Sequence, residues 1–175
     1  MIQYPDDLNP QKIFEHAGKF QWTNERLRKT DVAASEKEVW YLGDPCLVVS
    51  ALASELYLKC LLVLFNTPLK EIQQLHKLDK LYGKLPDQVK ERIKALWDQD
   101  IWRQGARHLL DEFQTKITKA PIPRDFSTLL KLGANTFVDL RYVYERPRNI
   151  NNVIVDLPQI LRRVIIEIHP EWGTP

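Results

Sequence analysis

A segment rich in arginine and tyrosine carries the side chains of this sequence that are best suited to hold a phosphate chain. It interleaves three arginines with two tyrosines: Arg141, Tyr142, Tyr144, Arg146 and Arg148. Guanidinium groups bind phosphate oxygens, and aromatic rings stack on unpaired bases. The pattern therefore predicts a segment that contacts RNA. A structural interpretation stays open, in which Arg141 pairs with Glu55 and the two tyrosines form core or dimer contacts.

A charged pair stands inside the most apolar stretch of the chain, residues 45–65. Glu55 and Lys59 are one turn apart on a helix, so their side chains can pair. Because two charges in a lone membrane-spanning helix are costly, the stretch is predicted to be a buried central helix. A buried pair needs further hydrogen-bond partners, which His76 or a distant arginine could supply. We predict a structural polar cluster of Glu55, Lys59 and His76, with a direct functional role as the alternative.

The overall charge balance limits how nucleic acid could be bound. The chain has 25 lysines and arginines against 23 aspartates and glutamates, a net charge of +2. This argues against a protein whose affinity comes from a large basic face. Residues 141–148 hold three arginines and one glutamate, a local net charge of +2. Any affinity for nucleic acid is therefore expected to be modest and centred on that segment.

Length, composition and cysteine content indicate a single globular domain over residues 1–175. Hydrophobic residues make up 44% and charged residues 27%, as in ordinary globular domains. On one helix, Cys46 and Cys60 would lie roughly 21 Å apart, too far for a disulfide. No spacing of cysteine and histidine is typical of a zinc site, and we expect no metal and no cofactor. Free thiols and the lack of a visible signal peptide favour a cytoplasmic location.

The elements that must position these residues are predicted to be helices. Apolar residues recur at helical spacing, and no alternating run is bounded by hairpin turns. The predicted fold is an all-α bundle of about five main helices plus short ones, over residues 9–29, 44–66, 69–75, 78–85, 86–101, 125–147 and 156–170. Asp44-Pro45 is read as a cap followed by a proline that starts the long apolar helix. Residues 30–42 stay open between a helical segment and a connection.

The long helix and the segment after it share a pattern with a known family. Glu55 and Lys59 form an E-x-x-x-K pair, and His76, Leu78 and Leu81 form an H-x-L-x-x-L segment. Over residues 44–145 this pattern resembles the HEPN family, small all-helical domains common in prokaryotic toxin–antitoxin and defence systems. The resemblance implies an up-and-down bundle that often forms homodimers, and active members that cut RNA without a metal ion.

Active members of that family carry an arginine followed, after four to six residues, by a histidine. Arg103 and His108 match this spacing. The resemblance implies that the histidine acts as a general acid–base on the ribose 2′-hydroxyl while the arginine stabilises phosphate charge. On a continuous helix these two side chains would point roughly 140° apart, so convergence needs a break, which Gly105 could provide. Structural roles for both residues are the alternative.

The same spacing also arises by chance. The sequence has 11 arginines and 4 histidines, so about 0.75 matches are expected at random. Arg162 and Arg163 also match with His169. By order along the chain, the family motif falls more naturally on Arg141, but there Arg146 stands where the histidine should be. The sequence thus predicts an absent or degenerate ribonuclease motif.

Three hypotheses follow. The first is a HEPN-like homodimer that binds RNA without cutting it, in a defence or toxin–antitoxin setting. Its partner could be an antitoxin or a nucleotidyltransferase, and no membrane is expected. The second is an active, metal-independent endoribonuclease using Arg103 and His108. The third is a structural module whose apolar helix faces recruit a partner protein.

Overall fold

The fold is an all-α bundle, as the helical spacing predicts. A computed structural model describes residues 8–31, 36–103, 125–135 and 156–173. Within these ranges every regular element is helical, and the α-helices are α1 (Pro10–Asp31), α2 (Glu36–Leu64), α3 (Leu69–Ile72), α4 (Leu78–Gly83), α5 (Asp87–Arg103), α6 (Phe126–Leu132) and α7 (Leu157–Ile168). A 3-10 turn, Pro170–Gly173, follows α7. Five of the seven α-helices in these ranges have seven residues or more, in agreement with the expected number of main helices.

The predicted start of the long apolar helix is wrong. α2 begins at Glu36 and continues through Pro45, which lies inside the helix. A proline in a helix interior costs about 3 kcal/mol because it removes one hydrogen bond and its ring crowds the preceding turn. Among the described elements, α1 and α2 pack together most extensively, and tertiary packing of this kind is the main source of helix stability in proteins. The open segment 30–42 is thus helical from Glu36 onward.

The end of α2 agrees with the prediction. Asn66 adopts a left-handed conformation with φ of 59°, which asparagine tolerates better than most residues. The Thr67 amide donates to the Leu62 carbonyl at 2.9 Å and so closes the last turn. The chain then reverses at Pro68, and α3 and α4 follow. This reversal brings the His76 segment back alongside α2.

The helix after Asp125 is shorter than predicted. The Asp125 carboxylate caps α6 by accepting the Thr128 amide at 2.8 Å, as expected. However, α6 ends at Leu132, and the Ala134 carbonyl accepts the Leu78 amide at 3.3 Å. The apolar spacing that continues past Gly133 therefore does not belong to one uninterrupted helix. Residues 136–155 lie outside the described part of the chain.

The core is centred on α2. Tyr57 and Leu61 of α2 are fully buried and pack with residues of α1, α5 and α7. Leu161 of α7 is also fully buried, and Trp97 of α5 lies 5.4 Å from the Phe126 ring. α7 has a sharply divided surface, because its buried apolar residues fall on one side. This core holds α1, α2 and α7 in fixed relation.

One described helix is long and apolar enough to cross a membrane by length and composition. It spans Pro45–Leu64 with a mean hydropathy of 1.9. A core helix of a bundle passes the same test, and 56% of this span is buried inside the protein. The finding is weak evidence for a membrane span.

Candidate functional site

The buried carboxylate of Glu55 is the centre of a polar cluster on α2. Its side chain is only 6% exposed. The Lys59 ammonium lies 2.9 Å from Glu55 Oε1 and is 15% exposed. Lys59 also donates to the Gln73 carbonyl at 3.4 Å. The pair therefore lies inside the bundle rather than on its solvated surface. Removal of either charge would leave the other buried without its partner, which is energetically costly.

His76 joins the same carboxylate from another part of the chain. Its Nδ1 lies 2.9 Å from Glu55 Oε1, while its side chain is 54% exposed. When Nδ1–H donates to the carboxylate, Nε2 carries the lone pair, and it has no partner among the described residues. An imidazole oriented in this way can exchange a proton with a bound molecule at Nε2.

The sequence explains why these three residues meet. Four residues separate Glu55 from Lys59, which is one helical turn. Leu78 and Leu81 are buried in the core, and they anchor α4 against α2. His76, just before α4, is thereby held next to Glu55.

A second polar cluster joins α1, α2 and α7. The Tyr57 hydroxyl donates to Gln21 Oε1 at 2.7 Å, and the positive charge of Arg162 acts on the same hydroxyl. Gln21 Nε2 in turn donates to Glu25 at 2.9 Å. Burial raises the pKa of Tyr57 above its ordinary value, although the charge of Arg162 opposes this, so the hydroxyl stays protonated.

Nearby, the Cys46 thiol donates to Asn24 Oδ1 at 2.7 Å. Sequence reasoning missed both sets of contacts. A signal for them exists, because Gln21 and Asn24 continue the spacing of the apolar stripe that contains Phe14 and Ala17. Polar residues at stripe positions indicate buried hydrogen-bonded groups.

An open groove lies on the surface beside the second cluster. Its volume is about 370 Å³, and it is lined by Gln21, Gln159, Arg162, Arg163, Ile166 and Glu167. The groove lies between α1 and α7. Two arginines at one groove can bind an anionic group.

The predicted ribonuclease pair lies at the edge of what is described. Arg103 is on α5, but its side chain and the whole of His108 lie outside the described residues. The RNA-contacting residues that we predicted also lie outside them: Arg141, Tyr142, Tyr144, Arg146 and Arg148. Their roles stay predictions.

Arg162, Arg163 and His169, which also match the ribonuclease spacing, contact other residues instead of each other. Arg162 lies over the Phe14 ring at 5.6 Å, and Arg163 approaches Glu167 at 3.7 Å. His169 bonds Glu171 through Nδ1 at 2.9 Å and stacks on Trp172. These contacts direct each of the three side chains to a different neighbour.

Among the described residues, no group of three or more histidine, cysteine, aspartate or glutamate side chains could hold a metal ion. Comparison with known protein families, with curated proteins and with solved structures finds no significant match to this chain. The site is therefore interpreted from its own geometry and from the residue pattern.

Proposed function

We propose that this chain is a HEPN-like helical protein that binds RNA without cutting it, in a prokaryotic defence or toxin–antitoxin setting. The observation that carries the proposal is the cluster of Glu55, Lys59 and His76. The residues come from the two segments whose pattern resembles the family, and they meet at one carboxylate oxygen. The all-helical fold supports the same assignment.

The cluster supplies groups that suit a phosphodiester ligand. His76 offers a half-exposed imidazole nitrogen, and Lys59 places a positive charge at the same carboxylate. An ammonium group donates hydrogen bonds to phosphate oxygens, and the lone pair on Nε2 of His76 can accept one from a ribose 2′-hydroxyl. The arginines of residues 141–148 would add the main phosphate contacts, and Tyr142 and Tyr144 would stack on bases. A homodimer would double this surface.

The proposal excludes cleavage because the segment that best fits the family motif has Arg146 in place of a histidine. Without an imidazole there, the general acid–base has no carrier at neutral pH. The competing hypothesis is a metal-independent endoribonuclease that uses Arg103 and His108. A third possibility is a module that only recruits a partner protein.

Incubation of purified protein with total RNA in EDTA separates these functions. Wild type is compared with His108→Ala, and RNA integrity and protein–RNA complexes are followed on gels. The proposal expects complexes that weaken with salt and intact RNA in both samples. Cleavage that persists in EDTA and disappears in His108→Ala would establish the endoribonuclease instead. If wild type neither binds nor cuts RNA, the proposal is wrong and the partner-binding module remains.

A further inference from the structure

The groove between α1 and α7 has a guanidinium group that lies over a buried aromatic ring. The positive charge of Arg162 also acts on the hydroxyl of Tyr57, whose side chain is fully buried. The guanidinium lies 5.6 Å from the centre of the Phe14 ring. A guanidinium that is already ordered loses little conformational freedom when it binds an anion. Arg162 lines the groove and is restrained by its contact with Phe14, so it is placed to bind an anion there.

The second groove arginine, Arg163, is only weakly engaged. Its Nε lies 3.7 Å from Glu167, and its side chain is half exposed. Glu167 is already bound by Arg92, which donates two hydrogen bonds of 2.7 Å. Because Arg92 satisfies this carboxylate, Arg163 can turn toward a ligand in the groove.

The charges around the groove leave a positive excess. Three arginines, Arg92, Arg162 and Arg163, stand against two carboxylates, Glu25 and Glu167, which gives a net charge of +1. Glu25 accepts a hydrogen bond from Gln21, so this carboxylate is also partly satisfied. A small positive excess suits a ligand that carries one negative charge per repeating unit.

An exposed aromatic residue, Trp22, directly follows the groove residue Gln21 on α1. A Cβ added at Gly18 would lie 3.8 Å from the Tyr57 hydroxyl, so this side of α1 faces the second polar cluster. Trp22 is one turn after Gly18 and lies on the same side of the helix. Its side chain is 58% exposed, although Arg26 lies 4.9 Å from its ring centre. An exposed indole, next in the chain to a residue of a groove that holds two arginines, supplies together with them the groups that bind a base and its phosphate.

We propose that this groove binds single-stranded RNA, with a phosphate at Arg162 and Arg163 and a base stacked on Trp22. The inference rests on the proposed function, because it places part of the RNA contact on α1 and α7. It goes beyond that function because the groove residues lie outside 141–148, the segment that the proposed function gives the main phosphate contacts. The expected ligand is a flexible strand, since stacking on Trp22 needs an unpaired base.

Fluorescence anisotropy with a labelled oligouridylate of about ten nucleotides tests the groove. We expect Arg163→Gln to weaken binding about three- to tenfold and to make the salt slope shallower by about 0.7, the value for one phosphate on a single strand. Trp22→Ala should weaken binding at least about fivefold, with the salt slope unchanged. Lys131→Gln is the matched control, because Lys131 is exposed on α6 and does not line the groove. It should change the affinity by less than about twofold.

The outcomes separate this inference from the proposed function. If wild type binds the strand and both groove variants behave like Lys131→Gln, the groove is not the binding site, while the proposed function stands. If wild type does not bind at all, the proposed function itself fails. Thermal unfolding of each variant checks that the fold is kept, and Trp22 and Arg163 are exposed enough for this to be expected.

Discussion

Replacement of Glu55 by glutamine should destabilise the protein more than any surface charge change. The carboxylate is 6% exposed and is shared by Lys59 and His76, each at 2.9 Å. Removing one partner of a buried ion pair typically costs 3–5 kcal/mol, since the other charge stays buried. Lys59 is 15% exposed and keeps the Gln73 carbonyl at 3.4 Å, which lowers the cost. We therefore expect about 3 kcal/mol for Glu55→Gln.

The companion variants follow from the same geometry. Lys59→Met leaves the carboxylate with His76, so its cost should be smaller, about 2 kcal/mol. His76→Ala should cost about 1 kcal/mol or less, because the imidazole is half exposed. The double variant Glu55→Gln with Lys59→Met leaves no buried charge. It should cost about 2 kcal/mol in total, well below the sum of the two single changes.

Urea unfolding followed by circular dichroism measures these free energies, and equal m-values confirm that the unfolding reaction is unchanged. Glu91→Gln provides the control, because Glu91 is an exposed carboxylate on α5. The reasoning is refuted if the double variant loses the full sum of the single changes, since the two charges would then be independent. A cost for Glu55→Gln as small as that of Glu91→Gln would refute it as well.

Three further predictions concern the core and one helix end. Leu161→Ala should lower the free energy of unfolding by about 2–5 kcal/mol in urea, because Leu161 is fully buried. Burial raises the pKa of Cys60 to about 12, so the native thiol stays protonated while the unfolded thiol ionises near pH 8.5. Stability should therefore fall as pH rises above about 8.5, by up to about 1.4 kcal/mol per pH unit, and Cys60→Ala should lack this component in urea unfolding. The Thr128 amide lowers the pKa of Asp125, so this cap stabilises α6 above about pH 4 and is lost in acid. Asp125→Ala should thus melt below wild type at pH 7, and the difference should shrink as the pH falls below about 4. A difference unaffected by pH would contradict the capping role.

Local signals in the sequence predict most helices correctly. Asp125 caps α6 because its carboxylate reaches the Thr128 amide, an interaction within three residues. The end of α2 at Asn66 and Pro68 is equally local. These features depend on residues that are neighbours in the chain, so the sequence alone is enough to predict them.

The predicted helix bounds are wrong where packing between distant segments determines the structure. Pro45 looks like a helix start, but it lies inside α2, the helix that packs most extensively on α1. The apolar spacing continues past Gly133, yet the Ala134 carbonyl turns to bond Leu78 instead. Both outcomes depend on which helices meet, which local spacing does not specify.

In the candidate site, too, local contacts are predictable from the sequence, whereas contacts between distant helices are not. The Glu55–Lys59 contact follows from helical spacing alone. The second cluster depends on Tyr57, Gln21 and Arg162, which come from three separate helices. The stripe position of Gln21 indicates that it is buried, but nothing in the sequence indicates which residues of the other two helices it meets. Only the packing of α1 and α7 against α2 brings them together and creates the groove.

The central claim is that this chain binds RNA without cutting it, and one titration tests it most directly. The affinity of wild type for a single-stranded RNA is measured over about 50 to about 200 mM salt, and the RNA is then recovered and checked for length. We expect intact RNA and a plot of log affinity against log salt with a slope of about −1.4 to −2.1, for two or three phosphates on a single strand. Shortened RNA, or no binding at the lowest salt concentration, would contradict the account.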